Sequence, residues 1–168
     1  MLIGVLIGGG LYYRSQRKKV LTDKDTILVA DFDNKTSDAV FDDTLKTALT
    51  VTLNQSPFLN VLADDSVAAT LKLMTRPAGT KLTPDVAREL CQRTQSKAYV
   101  SGSIASLGKQ YVLGLKAVNC SNGHVLAEEQ VTAADKEKVL ESLGTAASRI
   151  RGELGESLSK FKIGRAHV

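Results

Sequence analysis

A chain of 168 residues with 43% hydrophobic and 24% charged side chains has room for one domain with a real core and too little for two. Its aromatic content of 5%, without a tryptophan, argues against a stacking platform for single-stranded nucleic acid. The net charge of +4 is concentrated in Arg14, Arg17, Lys18 and Lys19, beside an apolar stretch, so the basicity reads as membrane-flanking and no nucleic-acid partner is expected.

The first element is that stretch, LIGVLIGGGLYY, from Leu2 to Tyr13. It is shorter than the roughly 20 apolar residues a span requires. A cleaved leader carries its positive charge ahead of the apolar run and a small-residue cleavage site behind it. Here the charges follow, and Tyr12-Tyr13-Arg14 is no such site. Tyrosine at the boundary followed by Arg and Lys is how a span leaves the bilayer. Residues 1–13 are therefore expected to be part of a transmembrane helix, and residues 14–25 a basic juxtamembrane linker. The glycines form no phosphate loop, because the Lys-Ser/Thr that reaches nucleotide and metal is missing.

The folded part is expected over residues 26–160. ILVADF, Ile27 to Phe32, reads as a short apolar strand, and DNKTSD as a polar loop of turn formers. From about Val40 a helix is predicted by Phe41, Leu45, Ala48, Leu49, Thr52 and Leu53 at three-to-four spacing. Asp38, Asp42 and Asp43 lie at its amino end, where carboxylates suit the helix dipole. After Pro57, FLNVL is a second strand. Asp64 is placed to cap a helix presenting Val67, Leu71 and Met74, which Pro77 stops. Thr83-Pro84-Asp85 is a strong start for a third helix carrying Val86, Leu90 and Cys91 inward.

Three strands follow: AYVSGSIASLG, QYVLGLKAVNC and HVLAEEQVTA. Gly108-Lys109 and Ser121-Asn122-Gly123 are good hairpin connections between them. A last helix begins near Asp135 with Val139, Leu143, Ala147, Ile150 and Leu154 as its buried stripe. The predicted order is β-α-β-α-α-β-β-β-α, an α+β fold with helices on a small mixed sheet. The final six residues, IGRAHV, are what ATC GGA AGA GCA CAC GTC encodes, a common sequencing-adapter sequence. Ile163 to Val168 are accordingly expected to be translated adapter on a gene fragment.

The chemistry-bearing residues are few. Asp31, Asp33, Asp38, Asp42 and Asp43 are the dense carboxylate cluster, yet their spacing is not that of a calcium loop, and capping and solvation explain them more cheaply. His124 falls in a hairpin turn and His167 in the suspected adapter. Ser101, Ser103 and Ser106 have no partner base, so no nucleophilic site is expected. Neither a catalytic residue nor a metal or cofactor is expected. Cys91 and Cys120 are the candidate site residues: a turn at Gly108-Lys109 sets Cys120 opposite the region of Lys97, just beyond the helix that holds Cys91. They are either a disulfide, if the compartment is oxidising, or two small buried thiols.

The segments LTDKDTILVADFDNKTSDAVFDDTLKTAL, QSPFLNVL, LTPDVARELCQRT, VSGSIASLGKQYVLGLKAVNCSNGHVLAEEQV and KEKVLESLG resemble one family throughout. It is the membrane-proximal domain of acidobacterial-type transmembrane serine/threonine protein kinases and related tetratricopeptide-repeat regulators. More distantly, their order is similar to that of the TolB amino-terminal, FlgO and CsgG envelope domains. The kinase resemblance implies a non-catalytic sensory or protein-binding domain of a receptor kinase or repeat regulator, with a protein or small-molecule ligand. It places the domain on the periplasmic side of a bacterial inner membrane crossed once, although positive charge after the span favours the cytoplasm. The alternative is an envelope-assembly or scaffolding protein of the TolB/CsgG kind with no kinase attached.

Overall fold

The structure, a computed structural model, describes residues 24–165. The expected partial transmembrane helix, most of the basic linker and His167 lie outside the described residues. Among those described, no helix is long and apolar enough to cross a membrane.

Eleven elements follow one another: β1 (Asp25–Val29), β2 (Asp33–Lys35), α1 (Val40–Asn54), β3 (Leu59–Val61), α2 (Asp64–Leu73), α3 (Pro84–Arg93), β4 (Ala98–Leu107), β5 (Gln110–Asn119), β6 (Val125–Ala133), a single 3-10 turn (Lys136–Lys138) and α4 (Val139–Arg165). The fold is α+β, and its order is the expected one with one strand added. That strand is β2, inside the stretch expected to be loop. Its three polar residues have no apolar alternation; they are extended because they pair with β4, Asp33 with Ser103 through Lys35 with Ala105.

The six strands form one mixed sheet in the order β3-β1-β4-β5-β6, with β2 beside the far half of β4. Strand β1 runs parallel to both β3 and β4, with Ile27 opposite Val61 on one side and Ala98 on the other. The β4–β5–β6 part is an antiparallel meander. Gly108 (φ +61°) turns the first hairpin and Gly123 (φ +74°) the second, the left-handed backbone that glycine adopts without steric cost.

Helices α1 and α4 lie on one face. They bury Phe41, Leu45, Leu49, Leu53, Leu143, Ala147, Ile150 and Leu154 against Ile27, Val100, Ile104, Leu113 and Leu115. The stripes predicted for both helices are thus the core-facing ones. On the other face α2 and α3 cover a smaller cluster around Leu28, Leu71, Leu90, Tyr99 and Val118. Thr83 caps α3 as expected, its Oγ1 accepting from the Val86 N–H at 3.5 Å with Pro84 in the first turn. Asp64 does not cap α2: Ala63 holds the cap position without a side-chain bond, and Asp64 and Asp65 fall in the first turn, where their charge still complements the helix dipole.

Candidate interaction surface

The two faces of the sheet are not equally covered, and strand alternation shows where the cover stops. Along β4, Ala98, Val100 and Ile104 point to the α1/α4 side and are fully buried. On the opposite side Tyr99 is packed among the α2/α3 cluster, but Ser101, Ser103 and Ala105 are only half-buried and Leu107 is 67% exposed. Their β5 partners, Lys116, Gly114, Val112 and Gln110, continue the same surface. From β6 come Glu128, Gln130 and Thr132, all exposed. Helices α2 and α3 reach over β1 and the adjoining ends of β4 and β5, and no further.

The open half is floored by small side chains. A Cβ at Gly114 would stand 3.0 Å from the Ser103 hydroxyl, so this pair leaves a shallow trough instead of a ridge. Charge frames it: Lys116 pairs with Glu128 at 3.3 Å, and Asp33 with Lys35 at 3.4 Å. Ser101 Oγ donates to the Lys116 carbonyl at 3.5 Å, and the cross-strand partner of Ser103 is Asp33, whose carboxylate is engaged by Lys35. Hydroxyls, small apolar groups and paired charges on an open sheet face offer contact to another surface.

The aspartates of the sequence cluster are dispersed into separate structural tasks. Asp31 accepts from Lys46 Nζ and from the Leu82 N–H, both at 2.6 Å, tying β1 to α1 and to the loop before α3. Asp42 accepts from Asn34 Nδ2 at 2.9 Å, while Asp43 is exposed in the first turn of α1. Asp38 accepts from the Val40 N–H at 3.1 Å and from Lys136. The Lys136 hydrogen bond, then that of Val40, holds the Asp38 carboxyl below the usual range, and Asp38 in turn raises Lys136. Among the described residues, no group of three or more His, Cys, Asp or Glu is placed to hold a metal ion. His124 is exposed in the β5–β6 turn, its N–H donating to Asn122 Oδ1 at 2.9 Å. Ser106 is exposed near the end of β4.

Cys91 and Cys120 are brought together, sulfur against sulfur, with Cα atoms 6.0 Å apart, inside the range a disulfide spans. The register behind this is the expected one, with the Cys120 N–H donating to the Lys97 carbonyl at 3.1 Å. Gln92 Nε2 donates to the Cys120 carbonyl at 3.1 Å, so α3 and the β5 end are joined by polar contact as well. Beside the pair, at the end of the domain where β1 begins, is an open groove of about 520 Å³ lined by Asp25, Gln92, Lys97, Asn119, Asn122 and Leu158 among others. Sequence reasoning missed both this groove and the open half-face. For the second the signal was present: VSGSIAS puts serine, serine and alanine on one side of a strand whose other side buries Val100, Gly102 and Ile104.

No family model matches the chain, and no curated protein matches it in sequence. Solved structures do share its fold. The LpoB C-terminal domain from Salmonella enterica aligns with a TM-score of 0.60 at 12% identity, over 67% of this chain and 84% of that one. Lipoprotein GNA1162 from Neisseria meningitidis aligns at 0.55 with 18% identity, over 80% and 99%. TolB from Acinetobacter baumannii aligns at 0.53 with 11% identity, over 82% of this chain but only 29% of that one. These identities carry the fold, which is TolB-like.

Proposed function

We propose that the chain is a non-catalytic, protein-binding domain of the bacterial cell envelope, of the assembly or scaffolding kind, held at a membrane by the segment before Lys24. The observation that carries this is the half-covered sheet: a broad, small-residue surface framed by ion pairs. The fold neighbours, one of them named as a lipoprotein and another as TolB, support the envelope-assembly reading over the receptor-kinase reading. The kinase attachment implied by the sequence resemblance gains no support from them.

The same proposal makes the Cys91–Cys120 pair a disulfide and places the domain in an oxidising compartment, the periplasm. Thiol trapping in native membranes, with and without prior reduction, tests it; two free thiols before reduction would sink both the bridge and the placement. For the binding surface, a photo-reactive side chain at Val112 on the open half-face is expected to form protein adducts. The same group at Val51, 56% exposed on α1, is expected to form none. Equal labelling at both positions, or none at Val112, rejects the surface.

A further inference from the structure

The end of the domain at which β1 begins carries a pattern that the protein-binding reading does not use. Lys24, the first described residue, is exposed there, and the N–H of Asp25 donates to the Phe58 carbonyl at 3.0 Å. That bond fixes Phe58 beside the point where the chain comes in from residue 23. Phe58 is 52% exposed, and a Cβ at Gly155 of α4 would touch its ring at 3.8 Å, so it stands against the helix at an open groove that Arg151 and Gly152 also line. On the other side of β1 the Lys97 N–H donates to the Thr26 carbonyl at 2.8 Å, which sets the exposed Lys97 next to the same point. One large exposed aromatic side chain and two exposed lysines thus stand at the same end of the sheet. Asp25, half-buried, is the acid among them.

The chain that leaves this end supplies the occupant. Eleven positions before Asp25 comes Arg14, and Arg14, Arg17, Lys18 and Lys19 follow directly on the apolar run Leu2 to Tyr13. Even fully extended, residues 14–24 span no more than about 40 Å, so an apolar segment in a bilayer keeps this end of the domain close to the headgroups. An exposed aromatic side chain with lysines at the same end is a side-chain set that partitions into an anionic interface, the ring entering the acyl boundary and the ammonium groups meeting lipid phosphate. We infer that the β1 end of the domain docks on the anionic membrane surface, with Phe58 in the interface and Lys24 and Lys97 on the headgroups. The inference rests on the membrane-held reading above and adds to it: the domain is oriented on the bilayer, its open half-face turned sideways and away from the lipid.

The absence of tryptophan makes the test direct. The full chain carrying Phe58→Trp is reconstituted in phosphatidylcholine–phosphatidylglycerol vesicles, with or without brominated acyl chains. Docking is expected to give a blue-shifted emission that bromine quenches. Val40→Trp, 53% exposed at the opposite end of the strands, should give an unshifted emission that bromine leaves alone. Adding Lys97→Glu to Phe58→Trp, or replacing phosphatidylglycerol by phosphatidylcholine, should reduce the quenching. Far-ultraviolet circular dichroism confirms that each variant is folded. If the protein floats with the vesicles and the tryptophan at position 58 is not quenched, docking is wrong while the membrane-held reading stands. A blue shift without bromine quenching overturns docking in favour of a protein contact at Phe58. If the folded chain does not float at all, both readings fall.

Discussion

The two faces of the sheet are held by different means. On the α1/α4 side one continuous core runs from Ile27 and Phe32 through Leu113 and Leu115 to Leu158, and both helices contribute long apolar side chains along their length. On the α2/α3 side the cluster is shorter and richer in small groups, with Ala30, Ala87, Cys91 and Cys120 among its members. Helix α2 buries a single residue, Leu71. Burial scales with apolar area, so the first face is secured mainly by packing, with ties such as Lys46–Asp31 added to it. The second is thinner, and that is where the cysteines sit, so the proposed Cys91–Cys120 bridge would act as its local clamp.

The sharpest way to break this contrast is a matched pair of truncations. Leu113→Ala, in the middle of the sheet and fully buried, is expected to cost about 4–5 kcal/mol, and Leu71→Ala about 2–3 kcal/mol because α2 can settle into the space. Urea unfolding of both variants measures it, and equal losses would mean that the faces are alike. Next in size is the clamp. Replacing Cys91 and Cys120 by alanine should remove about 3–4 kcal/mol from oxidised protein, the value for a loop closed across 29 positions. It should remove far less from protein unfolded under reductant, and the same loss in both conditions would assign the effect to packing.

Close packing on the first face predicts intolerance of even one methyl group. A Cβ at Gly102 would lie 2.4 Å from Phe32 Cε1, and Phe32 is itself 1% exposed. Gly102→Ala should therefore destabilise by about 1–3 kcal/mol, read as a lower melting temperature, with Phe32→Leu in the same chain recovering part of the loss. On the thin face the opposite sign is available. Thr75, just past α2, has φ +59°, a left-handed position costly for a β-branched residue. Thr75→Gly should stabilise by about 0.5–1 kcal/mol; a loss of stability would show that its side chain matters more than its backbone.

The smallest effect concerns the Asp38–Lys136 link, which joins the loop before α1 to the turn before α4. The folded-state pKa of Asp38 is lowered, so its contribution is present above the unfolded value near 3.8 and is lost as pH falls through the lower folded value. That of Lys136 is raised, so its share is present below 10.5 and lost as pH rises through the higher folded value. Both groups are exposed to solvent and salt, and Asp38→Asn should shift stability at neutral pH only slightly. The carboxyl resonance of Asp38 should titrate below 3.8 and move upward in Lys136→Met. An unchanged midpoint would remove the link.

Most of the fold was legible because periodicity reports burial. The α1 and α4 stripes, the two hairpin turns and the Thr83-Pro84 start all lay where spacing and turn chemistry placed them. Strand β2 was not legible, since Asp33, Asn34 and Lys35 are extended only by virtue of the β4 edge they meet. Nor was the cap of α2, where Asp64 looked like a capping residue but Ala63 holds that position. The half-open face was half legible. Small residues alternated along β4, but how far α2 and α3 extend over them depends on helix lengths and on the loop between Met74 and Leu82, which no local pattern fixes. The placing of Phe58 and Lys97 on either edge of β1 at one end of the sheet likewise comes from strand order, and strand order is long-range information.

That strand order also sets a timetable. The meander and α4 are contiguous in sequence, whereas Ile27 meets Ala98 from roughly seventy residues away, so the central parallel pairing closes the longest loop in the sheet. A chain made from its amino end exposes β1 first and must wait for β4 before that strand can be covered on both edges. Until then Ile27, Leu28 and Val29 have β3 on one edge at most, and the other edge of this apolar strand stays open to wrong pairing.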